Sequence, residues 1–502
     1  MYPQGSGQAV DNINTLLGRR ARVLELVFRL LPLMDLKNVV LVCHLWREAG
    51  EPVLWARGDL GVYKENMSSV VEALGDNGRL QSVRNICVWP SGLSEDLLQA
   101  VAGHRGLRSV VLVSCDMSAV LPELLARAVI GLKEVDMKYS RLTTQQVEAV
   151  LTAVCEGGSL LKTLNMEPTN LSSVDSVLLA SAVTSLEQVA FRQTDLTPQQ
   201  AKDILMTICE GDSQLKTLTI VGANFSLVEE GLLKKAVNSL ENVNLLGTKL
   251  TQQQIDEILT AVSSGSSRLK KLTLAVNNLS SVAAGLLASA VTSLGQVDLW
   301  QTELTQEQTK EIFTAICSGG SRLKSLHIGS NAVQFNPESG MTNLSSVDAE
   351  LLARAVTSLV EVNLENTELT QEQSEAVFAA IIERDSQLEK LDMRGNNLSL
   401  VEPSILGRAV NNLEEVNLGY CQLSQQQAEA ILTERLVKTS LRRMDMSCWQ
   451  MYMSSWQLKS RVLDEDLLTK KTGQQKFHCI DGEYNKQTRC SQGCSKNSFV
   501  TE

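Results

Sequence analysis

The sequence lacks the residue combinations that most enzymes need at an active site. Its 502 residues include only four histidines, and none has a cysteine or aspartate at the spacing of a nucleophile and its base. A glycine-rich phosphate loop, a Walker-type lysine and a metalloprotease helix are also absent from the sequence. The chain is therefore expected to have no catalytic residue and no cofactor, and His327 is expected to contact a partner.

An excess of positive charge is missing as well. Lysine and arginine number 46 against 57 aspartates and glutamates, which gives a formal net charge of −11. Because binding to a phosphate backbone needs a basic surface, nucleic acid is not expected as a partner. No apolar run approaches the roughly 20 residues that span a bilayer, and the polar first residues do not resemble a signal peptide, so no membrane association is expected.

Paired cysteine spacings are missing too. The eleven cysteines are an odd number scattered along the chain, which predicts reduced thiols and a cytoplasmic and/or nuclear location. An alternative for four C-terminal residues is a zinc site, although their spacing matches no compact pair of ligands: His478, Cys479, Cys490 and Cys494.

What the sequence does contain is one leucine-rich phrase repeated along most of its length. It begins clearly at Leu161, and the same leucine recurs at Leu186, Leu215, Leu240, Leu269, Leu294, Leu323, Leu359, Leu388, Leu413 and Leu441. Successive positions in this series differ by 25, 29, 25, 29, 25, 29, 36, 29, 25 and 28, by subtraction of those numbers. A fixed period of this size is typical of a solenoid, whose stacked units present one long surface. Degenerate units begin earlier, at Val83, Leu107 and Leu132.

Each unit is predicted to contain a strand, a turn and a helix. Leu272 and Leu274 alternate with other residues, as in a strand with one buried face. A polar side chain that satisfies backbone groups is expected at the following turn, in these positions: Asn277, Asn331, Asn396, Thr194, Thr248, Thr302, Thr367, Cys115 and Cys421. The longer units then open a helix with a capping-box pattern, from Thr251 to Gln254, Thr305 to Gln308, Thr370 to Gln373 and Ser424 to Gln427. Sequons such as Asn278-Leu279-Ser280 are expected to supply a turn asparagine and a helix-capping serine rather than a glycosylation site.

Strand, turn and outer helix at this period resemble a leucine-rich repeat, and the alternation of a shorter and a longer unit resembles the ribonuclease-inhibitor-like subfamily. The resemblance implies an α/β solenoid, a horseshoe with an inner parallel sheet and outer helices, over residues 83–457. Residues 332–342 are an insertion in the unit that begins at Leu323, which makes this unit the longest of the series. Residues 59–82 are expected to be a linker or first cap, and the aperiodic residues 458–502 a disordered tail.

A helical module is predicted over residues 20–58. One apolar stripe consists of Leu24, Val27, Phe28 and Leu31, and a second consists of Leu36, Val39, Val40 and Cys43. The module resembles an F-box, on the phrases Leu31-Pro32-Leu33-Met34-Asp35-Leu36 and Val42-Cys43-His44-Leu45-Trp46 and the closing Leu54-Trp55. A module of this kind before leucine-rich repeats resembles the substrate-recognition subunit of a Skp–cullin–F-box E3 ubiquitin ligase.

That resemblance implies a Skp adaptor and a cullin scaffold as partners. It assigns adaptor binding to Val23, Leu24, Phe28, Pro32, Leu36, Cys43 and Trp46. Arg19-Arg20-Ala21-Arg22 stands where the family usually has Leu-Pro-x-Glu, and a nuclear-localisation signal is the alternative use of this cluster. Two further alternatives stay open: the module is only a helical cap for the solenoid, and the chain is a stand-alone binding scaffold or inhibitor.

A protein substrate is expected on the inner face of the solenoid. The residue after the second strand leucine is apolar in four consecutive units, Val221, Leu246, Ala275 and Trp300, and charged on either side. At about 4.8 Å between strands, this row would span roughly 15 Å. An apolar row within a charged rim is typical of protein interfaces, and Ala275 and Gly329 are expected to leave space beside Trp300. The predicted substrate-binding residues are Arg192, Val221, Leu246, Trp300, His327, Phe335, Arg394 and Tyr420.

Overall fold

The computed structural model describes most of the chain from Asp59 onward. The described residues are 24, 27–29, 31, 59–75, 80–167, 169–192, 194–210, 213–265, 267–330, 342–383, 385–435 and 443–445. The strands are β1 Asp59–Val62, β2 Asn85–Val88, β3 Ser109–Leu112, β4 Glu134–Lys138, β5 Thr163–Glu167, β6 Gln188–Arg192, β7 Thr217–Val221, β8 Asn242–Asn244, β9 Lys271–Thr273, β10 Gln296–Asp298, β11 Ser325–His327, β12 Glu361–Asn363, β13 Lys390–Asp392, β14 Glu415–Asn417 and β15 Arg443–Asp445.

A helix follows nearly every strand. The helices are α1 Met67–Leu74, α2 Glu95–Gly103, α3 Pro122–Ile130, α4 Thr144–Cys155, α5 Ser176–Ser185, α6 Pro198–Cys209, α7 Glu230–Ser239, α8 Gln252–Ser263, α9 Ala284–Ser293, α10 Gln306–Cys317, α11 Ala349–Thr357, α12 Gln371–Ile382, α13 Pro403–Val410 and α14 Gln425–Arg435, with a 3₁₀ turn at Pro90–Gly92. Within the described residues, no helix is both long and apolar enough to cross a bilayer.

The strands form one parallel sheet in sequence order from β1 to β15. Strand residues with buried side chains, such as Leu272 at 1% exposure, alternate with residues on the opposite face, and one hydrophobic core runs through the stacked units. Helices lie between consecutive parallel strands, as this pairing requires. The predicted α/β leucine-rich-repeat solenoid is confirmed. The sheet begins one unit earlier than Val83, because β1 in the segment 59–82 pairs with β2.

Every second unit is fastened to its predecessor through the glutamine of its capping box. In α10, Gln308 Oε1 accepts from the Thr305 N–H at 2.8 Å, and the Gln308 N–H donates to the Thr305 hydroxyl. The buried Gln308 amide also donates to the carbonyls of Leu279 and Val282 in the previous unit, both at 2.7 Å. The same clamp is present at Gln146, Gln200, Gln254, Gln373 and Gln427. The predicted helix starts are thus confirmed.

The turn residues also take the predicted role. Asn277 Nδ2 donates to the carbonyls of Leu245 and Leu274, and its Oδ1 accepts from the Leu250 N–H. Threonine hydroxyls at Thr248, Thr302 and Thr367 and the thiols of Cys115 and Cys421 bond backbone carbonyls at the equivalent positions. These side chains supply donors to buried carbonyl groups at the turn, of which Leu274, Met393 and Val88 also accept a backbone N–H.

The capping role predicted for the sequon serine is wrong. The Ser280 hydroxyl and N–H both donate to Asn278 Oδ1, whereas α9 begins only at Ala284. Its side chain is therefore used in the asparagine turn, while the helix N-cap, Ala283, has no side-chain bond. The asparagine half of the prediction is confirmed.

Several predictions fall outside the described residues. They include most of the helical module 20–58, the tail 458–502, Asn331, and the insertion except Thr342, which is buried. Of the proposed adaptor-binding residues, only Leu24 and Phe28 are described; Leu24 is half-buried and Phe28 is 2% exposed.

Candidate functional site

Backbone hydrogen bonds continue the sheet past the ends of its short strands. The N–H groups of Gly247, Val276 and Gln301 donate to the carbonyls of Ala275, Trp300 and Gly329, at 2.9, 2.9 and 3.0 Å. This pairing places the residue after the second buried position of each unit on one line across the sheet. We call this line the inner row: Arg192, Val221, Leu246, Ala275, Trp300, Gly329, Glu365, Arg394 and Gly419.

The centre of the inner row is less open than predicted. Val221, Leu246 and Trp300 are half-buried, but Ala275 is 0% exposed. Ala275 is buried because its methyl group is short. The longer side chains of Leu246 and Trp300, on the two neighbouring strands, extend further from the sheet and shield it from solvent. The row therefore presents three apolar side chains instead of four.

The space predicted beside Trp300 at Gly329 is also filled. A Cβ atom at Gly329 would lie 2.8 Å from Asn363 Oδ1 and 2.9 Å from the Glu365 nitrogen. The next unit therefore packs directly onto this glycine, which has to lack a side chain. Any partner of Trp300 approaches from above the sheet and not from that flank.

The turn directly after the inner row holds backbone strain. Gly222, Gly247 and Gly395 occupy it with φ of 77°, 62° and 73°, where glycine has no steric penalty. Val276 adopts φ of 58° at the same position, next to Trp300. A β-branched residue in this region costs on the order of 1–2 kcal/mol, and such strain is commonly kept at functional sites.

At its C-terminal end the inner row carries a charged and aromatic group. The Arg394 guanidinium lies 5.2 Å from the centre of the Tyr420 ring, and its Nη1 is 3.5 Å from Glu365 Oε1. Glu365 is only 8% exposed, and burial raises the pKa of its carboxyl to about 7 although Arg394 opposes the shift. Arg394 is thus held in place by a ring on one side and a carboxylate on the other.

His327 lies beside the inner row in a polar groove of about 310 Å³. The groove is lined by His327, Glu361, Asn363, Lys390, Asp392, Glu415 and Asn417, together with strand residues beneath them. His327 Nε2 is 3.7 Å from Glu361 Oε1. Burial alone would lower the pKa of His327, but the carboxylates of Glu361 and Asp298 raise it. The nearby His327 in turn lowers the pKa of Glu361 to about 2. These groups make the groove a polar, charged part of the inner face.

The other predicted substrate-binding residues are spread along the same face. Arg192 is exposed at the end of β6, in register with Val221 of β7. Tyr420 is 53% exposed and directly follows the inner row after β14. Phe335 lies outside the described residues. The structure thus brings Val221, Leu246 and Trp300 together and places Arg394 and Tyr420 in a separate group.

Sequence reasoning missed an aromatic pair at the N-terminal end of the same face. Tyr63 follows β1 and Trp89 follows β2, at the positions that continue the inner row. Their rings stack with centroids 5.9 Å apart and planes within 10°, and they are 43% and 40% exposed. The first repeats are degenerate in sequence, so the strand that carries Tyr63 gave no leucine signal. Val27, at 48% exposure in the N-terminal apolar stripe, was also not assigned to a site.

Within the described residues, no group of three histidine, cysteine, aspartate or glutamate side chains could hold a metal ion. The Leucine Rich Repeat family matches residues 387–409. A search of curated proteins finds no significant match.

Three solved structures of repeat proteins are similar to the chain. The leucine-rich repeat-containing protein LegL7 from Legionella pneumophila is 14% identical, with 56% of this chain and 89% of that chain covered and a TM-score of 0.37. A chain from the Rad7 and Elc1 complex in yeast is 13% identical, with coverage of 88% and 94% and a TM-score of 0.45. A chain from the TLR13–ssRNA13 complex is 11% identical, with coverage of 80% and 60% and a TM-score of 0.32. These similarities are remote, and none transfers a partner or an activity to this chain.

Proposed function

We propose that this leucine-rich-repeat scaffold is the substrate-recognition subunit of a Skp–cullin–F-box E3 ubiquitin ligase. The inner row would hold a protein substrate, and the module 20–58 would bind the Skp adaptor. Such a subunit needs no catalytic group of its own, because it raises the local concentration of substrate lysines near a ubiquitin-loaded carrier enzyme.

Substrate binding is supported by the half-buried apolar side chains of the inner row, Val221, Leu246 and Trp300. They lie between Arg192 at one end and Glu365 with Arg394 at the other. A buried or half-buried aromatic anchor within a polar rim is the usual composition of an interface hot spot. The adaptor half is supported by the sequence pattern of residues 20–58 and by the contrast between two neighbours. Phe28 is buried while Val27 is 48% exposed, which leaves an apolar side chain available to a partner.

Affinity purification followed by mass spectrometry tests both halves. The full chain should recover Skp, cullin and a substrate. Val27→Asp should lose Skp and cullin, while Val177→Asp, a matched change at a 67%-exposed valine of α5, should keep them. Trp300→Ala should lose the substrate and keep Skp and cullin. Recovery of partners without Skp or cullin by the unaltered chain would leave only the stand-alone scaffold.

A further inference from the structure

The stacked side chains of Tyr63 and Trp89 are both exposed at the N-terminal end of the sheet. An ideal Cβ on Gly61 would lie 2.9 Å from Tyr63 Cε2 and 3.3 Å from its hydroxyl oxygen. The Tyr63 ring therefore folds back along β1, over the glycine, instead of extending past the strand end. Gly61 is what allows the ring to lie in this position.

A carboxylate lies in the direction in which the Tyr63 ring folds. Asp59, Gly61 and Tyr63 alternate along β1 and so share one face of the sheet. Asp59 is exposed and has no ion-pair partner among the described residues. Cys87 is in register with Gly61 on the neighbouring strand; burial raises the pKa of its thiol, and the carboxylates of Asp59 and Asp136 raise it further. The aromatic pair and a carboxylate thus lie on one face of the sheet.

At the C-terminal end of the same face, a similar pair of an aromatic ring and a carboxylate binds an arginine of the chain itself. There, Arg394 lies over the Tyr420 ring and pairs with the Glu365 carboxylate. At Tyr63 and Trp89 the ring faces and the carboxylate are present, but among the described residues no cation lies over either ring. Within the described part of the chain, the N-terminal site thus has aromatic rings and a carboxylate on one face but no guanidinium.

We propose that Tyr63 and Trp89 form a docking platform for an arginine side chain of a partner protein segment, with Asp59 as its counter-ion. Arginine fits better than lysine because the planar guanidinium stacks on aromatic rings and is weakly hydrated, whereas the ammonium is a compact, strongly hydrated charge. On β4, two strands from Trp89, Glu134 and Asp136 are followed by Lys138. Asp59 is therefore the carboxylate that favours a cation at the rings. The platform does not depend on ligase membership, nor on the site at Trp300.

The platform can be tested by fluorescence anisotropy with the full chain and a labelled nine-residue peptide of repeated Gly-Ser-Arg. The same peptide with lysine, or with uncharged citrulline, is the matched probe. Because a stacked cation at an interface is worth about 1–2 kcal/mol, we expect Trp89→Ala to weaken the arginine peptide roughly tenfold and Trp89→Phe to retain most of the affinity. The lysine peptide should bind more weakly, and citrulline should abolish binding.

Two further variants distinguish binding at the platform from non-specific attraction of a basic peptide to an acidic protein. Gly61→Val keeps both rings but displaces that of Tyr63, so it should weaken the arginine peptide while the far-ultraviolet circular dichroism stays unchanged. Trp300→Ala should have no effect. The proposal is overturned if citrulline binds as well as arginine, if Trp89→Ala leaves the affinity unchanged, or if oligouridylate displaces the peptide and is itself lost in Trp89→Ala.

Discussion

Glu365 lies buried against Arg394, with its Oε1 atom 3.5 Å from the guanidinium Nη1. One arginine at this distance does not offset the burial of the carboxylate, since the pKa of Glu365 stays near 7 against an ordinary value of 4.5. Burial of the ionised Glu365 carboxylate therefore destabilises the folded chain, while the same carboxylate holds Arg394 over Tyr420. We expect such a loss of stability to be tolerated if Arg394 contacts a partner.

The first prediction concerns pH. Glu365 binds its proton more tightly in the folded chain than in the unfolded one, so its contribution to stability falls as pH rises from about 4.5 to about 7. Glu365→Gln should remove this fall and stabilise the protein at pH 8 by roughly 2 kcal/mol relative to the unaltered chain. Urea unfolding at pH 5 and pH 8 measures it. Glu372→Gln, at an exposed glutamate of α12, should change neither value, and equal pH profiles for all three proteins would contradict the argument.

The second prediction concerns the glutamine clamp. Gln308→Ala removes a capping interaction and leaves the Val282 carbonyl buried without its donor, whereas the Leu279 carbonyl keeps the Val282 N–H. A lost cap costs about 1 kcal/mol and an unsatisfied buried group about 1–3 kcal/mol, so we expect a loss of roughly 2–4 kcal/mol. Gln306→Ala, at an exposed position in the first turn of α10, is the control and should lose less than about 0.5 kcal/mol in chemical denaturation. Similar losses for the two variants would count against the clamp.

The third prediction concerns the strained turn. Val276→Asn should stabilise the protein by about 1 kcal/mol, because asparagine tolerates a φ of 58° better than a β-branched residue does. The reciprocal change, Gly247→Val at φ of 62°, should destabilise it by a similar or larger amount. Thermal unfolding of both variants checks the pair. If Val276→Asn also weakens substrate capture, the strain contributes to the shape of the site beside Trp300.

The fourth prediction concerns the proposed substrate site. Trp300→Ala should weaken capture of the substrate by roughly 2 kcal/mol or more, as truncation of an aromatic hot spot does. Leu227→Ala, at a 75%-exposed leucine away from the inner row, should leave it unchanged. Surface plasmon resonance with the co-purified substrate measures both. Unchanged affinity of the Trp300→Ala variant would rule out the proposed substrate site and would leave the description of the fold intact.

The local features of the fold could be predicted because each depends on a few adjacent residues. The Thr305-to-Gln308 spacing is enough to place a helix start, and alternation is enough to place Leu272 and Leu274 in the core. The second function of Gln308, its bonds to the preceding unit, could not be predicted, because it depends on how two units stack.

Exposure on the inner row was harder to predict for the same reason. Ala275 is buried by the length of the side chains in the two neighbouring units, at Trp300 and Leu246, and Gly329 is covered by Asn363. The stacking of Tyr63 on Trp89 depends on the strand register of the first two units, which the leucine pattern does not mark.

The glutamine clamps lie within pairs of units, since each joins a unit of 28 or 29 residues to the one before it, which has 25 residues or, with the insertion, 36. The glutamines therefore define doublets of units, but Asn277 and Asn396 also bond across joints between doublets, to the carbonyls of Leu245 and Leu364. Under tension or heat the rod should come apart first at a joint without such an asparagine, as before Leu215, where Ala223 holds the equivalent position. An engineered chain should be lengthened or shortened by whole doublets.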